Sequence, residues 1–189
     1  SLVLSSRKYV ESLSDLAEQF IFSSIDSSTN WGKVLAGVDT VVHLAGIAHD
    51  IKLNFKNSDT KYIESNIKTT SNLARQAVKA GVNRFIYLSS IKVNGEETSI
   101  NKPFVADDIP DPQDIYAKSK LNAEIALKKI SEISDLKLVI IRPVLVYGPG
   151  VKGNFLNLMK WIKRGIPLPF ALISNKRDLV SINNLIKSA

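Results

Sequence analysis

The chain has 189 residues, of which 44% are hydrophobic, and these numbers predict one globular domain with part of a second. It contains no cysteine and two histidines, which excludes a disulfide scaffold and a cysteine nucleophile and argues against a structural metal site. The formal net charge of +7 comes from scattered lysines and arginines without interleaved aromatic residues, so we expect small phosphorylated ligands rather than nucleic acid.

Five short apolar runs predict β-strands. They lie at residues 1–7, 20–25, 39–46, 84–90 and 136–143. Nearly continuous apolar runs of this length are typical of parallel strands that are buried on both faces.

Helical patterns separate or follow these strands. They lie at residues 66–81, 114–133 and 154–165. In the first of them, Leu73, Ala77 and Ala80 recur at helical spacing, and Gly81 provides a C-terminal stop. Strands that alternate with helices predict an α/β domain with a doubly wound parallel sheet and crossover helices.

The sequence shows no apolar run as long as a membrane span and no basic-then-apolar signal segment at its start. We therefore expect a cytoplasmic protein with no membrane partner. His43 lies inside an apolar strand and is expected to be a hydrogen-bonded core histidine, whereas His49 is expected in an exposed loop.

Tyr116 and Lys120 stand four residues apart in DIYAKSKLNAE, at the start of the predicted helix 114–133. Residues at that spacing share a helix face, so the phenol and the ammonium can point into one space. A neighbouring cation favours the phenolate, whose unperturbed pKa is about 10, and so makes it usable for proton transfer. An ordinary amphipathic helix with an exposed lysine shows the same spacing. The spacing alone therefore does not distinguish a proton-transfer pair from a surface helix.

Five stretches occur in one order along the chain: GVDTVVHLAG, then ESNIKTTSNLARQAVKAGVNRFIYLSSIKVNGE, then YAKSK, IRPVLVYGPG and KRDLVSINNL. On these motifs the chain resembles the extended short-chain dehydrogenase/reductase family. The resemblance is to its NAD-dependent nucleotide-sugar epimerase/dehydratase branch, which includes the UDP-glucose 4-epimerases. It runs from about Leu2 to the last residues.

The resemblance implies a Rossmann-like fold in which 1–150 form the NAD(P)-binding domain and 151–189 begin a substrate-binding region. A dinucleotide-binding domain normally opens with a strand and a glycine-rich turn at a helix N-terminus. The nine glycines of this chain form no such motif, and the chain begins with what resembles the second strand of the family. We expect both parts to be incomplete relative to the family.

The resemblance also implies three catalytic residues. Tyr116 would be the general acid/base toward a sugar hydroxyl, and Lys120 would lower its pKa and hold the nicotinamide ribose. Ser90 would hydrogen-bond the same sugar oxygen. The alternative for Ser90 is a serine at a strand end that satisfies nearby backbone groups.

The implied cofactor is NAD or NADP. Leu44, Ala45 and Gly46 end a strand where small residues let a cofactor approach the backbone, although a tight turn would favour the same residues. Asn66 matches an asparagine near the cofactor in the family, or is a helix N-cap. Arg7 ends the family's second strand, where an arginine can pair with a 2′-phosphate and so hints at NADP.

Two further groups of cofactor residues follow from the resemblance. Ile25 and Asp26 lie near the adenine-contacting position, with Ser24 an equal candidate. Pro143 and Val146 lie in a stretch that resembles the loop covering the nicotinamide.

The predicted substrate-binding residues are Lys92, Asn154 and Arg177. Ala48 stands where sugar epimerases of the UDP-galactose type carry a lysine, and Lys92 is expected to take over part of that task. Asn154 and Arg177 resemble positions that hold the diphosphate and nucleotide of the substrate. Asn94 replaces a frequent tyrosine of the family, and these departures point toward amino or deoxy sugars.

The resulting hypothesis is an NAD(P)-dependent nucleotide-sugar 4-epimerase. The alternatives are a 4-reductase or dehydrogenase of surface-polysaccharide synthesis and a non-catalytic dinucleotide-binding module. The resemblance also implies a homodimer that pairs helices near 66–81 and 117–133.

Overall fold

The computed structural model describes residues 2–48, 58–99, 101–151, 153–167 and 176–188. They form two compact units, of which one ends at Arg142 and the other begins at Pro143. The domain boundary expected near residue 150 stays a prediction. His49 lies outside the described residues, as does the side chain of Asn154.

In its described residues, the first unit contains five strands, all in parallel pairings, in two hydrogen-bonded groups. The strands are β1 Val3–Ser6, β2 Glu18–Ile21, β3 Thr40–His43, β4 Arg84–Leu88 and β5 Lys137–Ile141. Strand β1 pairs with β2, and the other three form a sheet in the order β3-β4-β5. The predicted parallel α/β fold is confirmed, with strands shorter than the apolar runs that predicted them.

The described helices of the first unit lie between β3 and β4 and between β4 and β5 along the chain. They are α1 Ser58–Tyr62 and α2 Thr69–Lys79, joined by a π-helical segment at Ile63–Lys68, and α3 Ile115–Glu132. Short 3₁₀ turns occur at Glu11–Leu13 and Ile91–Val93. The helix predicted to begin at Asn66 therefore begins at Ser58, and Asn66 lies inside the π segment rather than at an N-cap.

The core of the first unit brings α2 and α3 against β4. Ala77 of α2 and Ala123 of α3 are both fully buried, and their small side chains let the two helices approach Phe85 and Tyr87 of β4. Leu127 of α3 completes this contact at 1% exposure. This packing holds the first turn of α3 at the edge where β4 ends.

The second unit has its own small parallel pair. Its described elements are β6 Leu145–Tyr147, α4 Gly153–Lys163, β7 Leu179–Ser181 and α5 Ile182–Ser188, and β6 pairs with β7. After β6 the backbone passes so close to α5 that a Cβ on Gly148 would lie 2.5 Å from Cγ2 of Ile182. A glycine is required there because any side chain would overlap the isoleucine.

Among the described residues of both units, the longest and most apolar helices fall short of what a bilayer crossing needs.

His43 at the end of β3 is a buried core histidine, as the sequence predicted. Its Nε2 lies 2.9 Å from Oγ1 of Thr70, and its ring stacks on Tyr87 with 5.8 Å between ring centroids. Burial, together with the nearby charge of Lys120, lowers the pKa of His43 from 6.5 to about 4.

This depressed pKa makes the folded state sensitive to acid. As pH falls from about 6.5 toward about 4, the unfolded chain gains a proton at His43 before the folded chain does. The free energy of unfolding therefore decreases, by up to about 3 kcal/mol. We expect His43→Phe to reduce that decrease, measured by urea denaturation across this pH range. Parallel pH profiles of the two proteins would contradict the expectation.

Candidate active site

The candidate site lies where three parallel strands end. Because β3, β4 and β5 run in the same direction, their carboxyl ends share one edge of the sheet. The residues that follow them are Leu44–Gly46, Ser89–Ser90 and Arg142, in that order. Ligands of open α/β sheets bind along this edge.

The first turn of α3 brings Tyr116 to the same edge. Asp114 is the N-cap of this helix, and its Oδ1 accepts a hydrogen bond from the backbone N–H of Ala117 at 2.7 Å. Tyr116, half-buried two residues later, lies near enough to Ser90 for the serine side chain to influence the pKa of its phenol. The structure thus brings together two of the three predicted catalytic residues, and their roles stay predictions.

The pKa of the Tyr116 phenol is raised above its ordinary value. Burial is the largest cause, and the nearby side chain of Ser90 opposes it. The negative charge of Asp114 raises the pKa further, and the positive charge of Lys92 lowers it. The cation that lowers this pKa is Lys92 rather than the expected Lys120, and burial outweighs its effect.

Lys120 is held underneath this site. Its side chain is 5% exposed, and Nζ donates a 2.7 Å hydrogen bond to the carbonyl oxygen of Leu88. Nζ also lies 4.5 Å from the ring centroid of Tyr87, in a cation–π contact. Burial lowers the pKa of Lys120 to about 8, and the charge of Glu124 raises it.

Asn66 joins the end of β3 to α3. Its Oδ1 accepts a 2.8 Å hydrogen bond from the N–H of Ile47, and its Nδ2 donates to the carbonyl of Ile47 at 3.0 Å. The same Nδ2 donates to Oγ of Ser119 at 2.9 Å. The π segment turns this fully buried amide inward, and π segments are frequent at functional sites.

The backbone at Leu44–Gly46, directly after β3, fits a dinucleotide approaching along the edge. Leu44, Ala45 and Gly46 are exposed there. A Cβ on Gly46 would lie 3.0 Å from Oδ1 of Asn66 and 3.7 Å from Nζ of Lys120. The missing side chain therefore keeps a cradle open beside a buried ammonium and an ordered amide, which suits the nicotinamide riboside half of such a cofactor.

The residues predicted to contact the adenosine half lie at the ends of β1 and β2. Arg7 is exposed directly after β1. Asp26 accepts hydrogen bonds from the N–H and the hydroxyl of Ser28 at 2.8 and 2.6 Å, and these bonds lower its pKa. Ser24 lies 3.5 Å from the same carboxylate, and Ile25 is half-buried. Their cofactor contacts remain predictions.

Lys92, predicted to bind substrate, forms two ion pairs. Its Nζ lies 2.7 Å from Oδ2 of Asp114 and 2.9 Å from Oε1 of Glu96. These carboxylates raise the pKa of Lys92. The pair with Asp114 ties the turn after Ser90 to the start of α3, and a substrate contact by Lys92 stays a prediction.

The remaining predicted residues belong to the second unit. Pro143 is half-buried at its start, Val146 pairs with Val180 between β6 and β7, and Arg177 is exposed before β7. Their contacts with cofactor or substrate remain predictions.

One buried ion pair at the edge was missed by the sequence reasoning. Arg142 donates to the carboxylate of Glu124 through Nε at 3.0 Å and through Nη2 at 2.6 Å. A signal existed, because Glu124 lies four residues after Lys120 on the same helix face. The sequence did not reveal that Arg142 is the partner of Glu124, because Arg142 follows a strand that is distant along the chain. In the described part of the chain, no cluster of three or more acidic or histidine side chains could hold a metal ion.

Comparisons with known proteins give a family and several relatives. The model of the NAD dependent epimerase/dehydratase family matches residues 2–188. A UDP-glucose 4-epimerase from Vibrio cholerae is 48% identical over 168 residues, which are 88% of this chain and 51% of that protein. An N-acetyl-alpha-D-glucosaminyl-diphospho-ditrans,octacis-undecaprenol 4-epimerase from Escherichia coli O157:H7 is 31% identical over 158 residues, 82% of this chain and 45% of that protein.

Solved structures share the fold. The crystal structure of a UDP-glucuronic acid 4-epimerase from Bacillus cereus in complex with NAD superposes with a TM-score of 0.77 at 27% identity. The match covers 93% of this chain and 55% of that one. The chain therefore spans about half the length of the relatives that it matches.

The environment of Tyr116 yields a test of its electrostatics. Lys92→Met removes the cation that lowers the phenol pKa and leaves the opposing charge of Asp114 unbalanced. We expect the Tyr116 titration to move to higher pH, measured by NMR of the ¹³Cζ-labelled tyrosines with Tyr116→Phe for assignment. Lys137→Met is the matched control, because Lys137 opens β5 at the opposite edge of the sheet. An unchanged Tyr116 titration in Lys92→Met would contradict this account.

Proposed function

Because this chain belongs to the NAD-dependent epimerase/dehydratase family, we propose that it carries the hydride-transfer site of a nucleotide-sugar 4-epimerase that uses NAD or NADP. The observation that supports this most directly is that Ser90, which follows β4, and Tyr116, in the first turn of α3, share one edge of the sheet with the buried Lys120. Serine, tyrosine and lysine side chains so placed can bind one hydroxyl oxygen and move its proton.

The cofactor would lie along the carboxyl edge of the sheet, against Leu44, Ala45 and Gly46. Its nicotinamide, when bound, supplies the hydride acceptor and donor for C4 of the sugar. Lys120 would hold the nicotinamide ribose hydroxyls, and its buried ammonium would contribute a positive charge at that point. Asn66 keeps this stretch of backbone in place through its bonds to Ile47.

Tyr116 is the acid/base of the proposed reaction. Its phenolate oxygen takes the proton of the C4 hydroxyl, and the phenol later returns a proton to the same oxygen after the sugar has presented its other face. Ser90 donates a hydrogen bond to that oxygen and keeps it in line with Tyr116. Two neighbours set the pKa of the phenol in opposite directions, since the charge of Lys92 lowers it and that of Asp114 raises it.

The proposed substrate is a UDP-sugar or a related diphosphate-linked sugar. Three of the relatives are named for epimerisation at C4 but for different sugars, namely UDP-glucose, UDP-glucuronic acid and an undecaprenol-linked N-acetylglucosamine. The net charge of +7 favours an anionic substrate. Arg177 and Asn154 would hold its diphosphate and nucleotide. We further propose a cytoplasmic homodimer.

The decisive experiment mixes the full-length protein with NAD or NADP and a panel of UDP-sugars, and in parallel with NADH or NADPH and 4-keto UDP-sugars. Both the sugar product and the nicotinamide absorbance are followed. An epimerase changes the configuration at C4 without net change of cofactor. Stoichiometric loss of added NADH or NADPH with a 4-keto sugar would replace the proposal by a reductase. Neither outcome across the panel would favour a binding module.

The role of Tyr116 has a direct test in the same assay. Tyr116→Phe keeps the ring and removes the group that transfers the proton, so we expect kcat to fall about 100-fold or more. Tyr9→Phe is the matched control, because Tyr9 is 56% exposed in the first unit. Full turnover by Tyr116→Phe would show that another group moves the proton.

A further inference from the structure

The ion pair between Glu124 and Arg142 is buried and fully engaged. The Glu124 side chain is 1% exposed and that of Arg142 is 14% exposed. The carboxylate accepts two hydrogen bonds from the guanidinium and a third, short one from the hydroxyl of Ser89. Burying such a pair contributes little net stability compared with packed apolar side chains, so its presence suggests a task in specifying geometry.

This ion pair fixes both ends of the turn in which Ser90 lies. Before the turn, Ser89 binds Glu124 through its hydroxyl, and its N–H donates to the carbonyl of Ile141 at 2.7 Å. After the turn, Nη1 of Arg142 donates to Oδ1 of the buried Asn94 at 3.0 Å. Asn94 is held in turn, because its Nδ2 donates to the carbonyl of Val105 at 3.2 Å.

Glu124 also acts on Lys120, one turn earlier on the same face of α3. Its negative charge favours the protonated amine and opposes the effect of burial. The other groups around Lys120 are the ring of Tyr87 on β4 and His43 on β3, and the charge of Lys120 depresses the pKa of His43. Tyr116 lies on α3 itself, and Arg142 after β5 balances the charge of Glu124.

We propose that Glu124 and Arg142 are positioning residues for the reaction: together they hold the Ser90 turn in place at Ser89 and Asn94, and Glu124 stabilises the Lys120 ammonium. The inference rests on the proposed function in so far as Ser90 and Lys120 serve catalysis. Neither side chain of the pair touches the reacting atoms in this account.

The electrostatic half of the proposal is tested with Glu124→Gln in the full-length protein. The amide keeps the shape of the side chain but removes its charge. We expect the titration midpoint of Lys120, followed by NMR of ¹³Cε-labelled lysine, to fall by about one pH unit. The alkaline limb of the pH profile of kcat should shift to lower pH by the same amount. Lys120→Arg identifies the resonance.

The matched control is Glu132→Gln, which makes the same charge change at the exposed end of the same helix. It lies twelve residues from Lys120, about 18 Å along the axis. A Lys120 midpoint that is unchanged in Glu124→Gln, or that moves equally in both variants, would overturn the electrostatic role. This reading needs no turnover, so it decides the point even if the full-length protein fails to epimerise any sugar.

The geometric half is tested with Asn94→Ala, which releases one end of the turn and leaves the ion pair in place. We expect kcat to fall about tenfold with little change in KM, because the loss falls on transition-state alignment. The effect should vanish in a Ser90→Ala background, since a misplaced serine matters only when the serine is present. A loss of equal size in both backgrounds, accompanied by lower stability, would overturn the role and leave a structural one.

Discussion

The arrangement of the first unit depends on one buried ammonium. Lys120 lies 5% exposed beneath the first turns of α3, and a charge so placed must be compensated by its surroundings. The compensation comes from three directions, namely the carbonyl of Leu88, the ring face of Tyr87 and the carboxylate of Glu124. Each of these groups must therefore keep its position, so the buried lysine orders this edge of the sheet.

The order extends along the edge through polar side chains rather than through the apolar core. Asn66 is turned inward by the π segment and connects the backbone at Ile47 with Ser119, next to Lys120 in sequence. On the other side, Arg142 connects Glu124 with Asn94. Such linked hydrogen bonds stiffen a site because every buried donor and acceptor must keep its partner. The open stretch at Gly46 lies between these rigid parts.

The two lysines near Tyr116 divide the tasks that the sequence assigned to one of them. Lys120 bonds to backbone and ring beneath the site, whereas Lys92 supplies the positive charge that lowers the phenol pKa. Lys92 is about one third exposed and pairs with two carboxylates, so solvent screens part of its effect. Lys120 is hidden from that screening, and its protonation is correspondingly sensitive to Glu124.

The sequence by itself determined the features that depend on residues close together along the chain, namely the secondary structure and the motif residues. The apolar runs predicted strands β1 to β5 but not the short strands β6 and β7. Their alternation with helices predicted parallel pairing, and the family motifs marked Ser90, Tyr116 and Lys120. The buried, hydrogen-bonded state of His43 followed from its place in an apolar strand. Tertiary structure alone decided that Asn66 lies inside a π-helical segment of a longer helical stretch rather than at an N-cap.

Tertiary structure also decided the electrostatics of the site. The partners of Arg142 lie 18 and 48 residues away, so the ion pair arises only when β5 and α3 pack together. The pKa of Tyr116 is raised because burial outweighs the neighbouring charges, and the sequence contains no measure of how much solvent the fold removes. Spacing on one helix face shows which side chains can come into contact. Desolvation and partners distant in sequence determine their pKa values and their ion pairs.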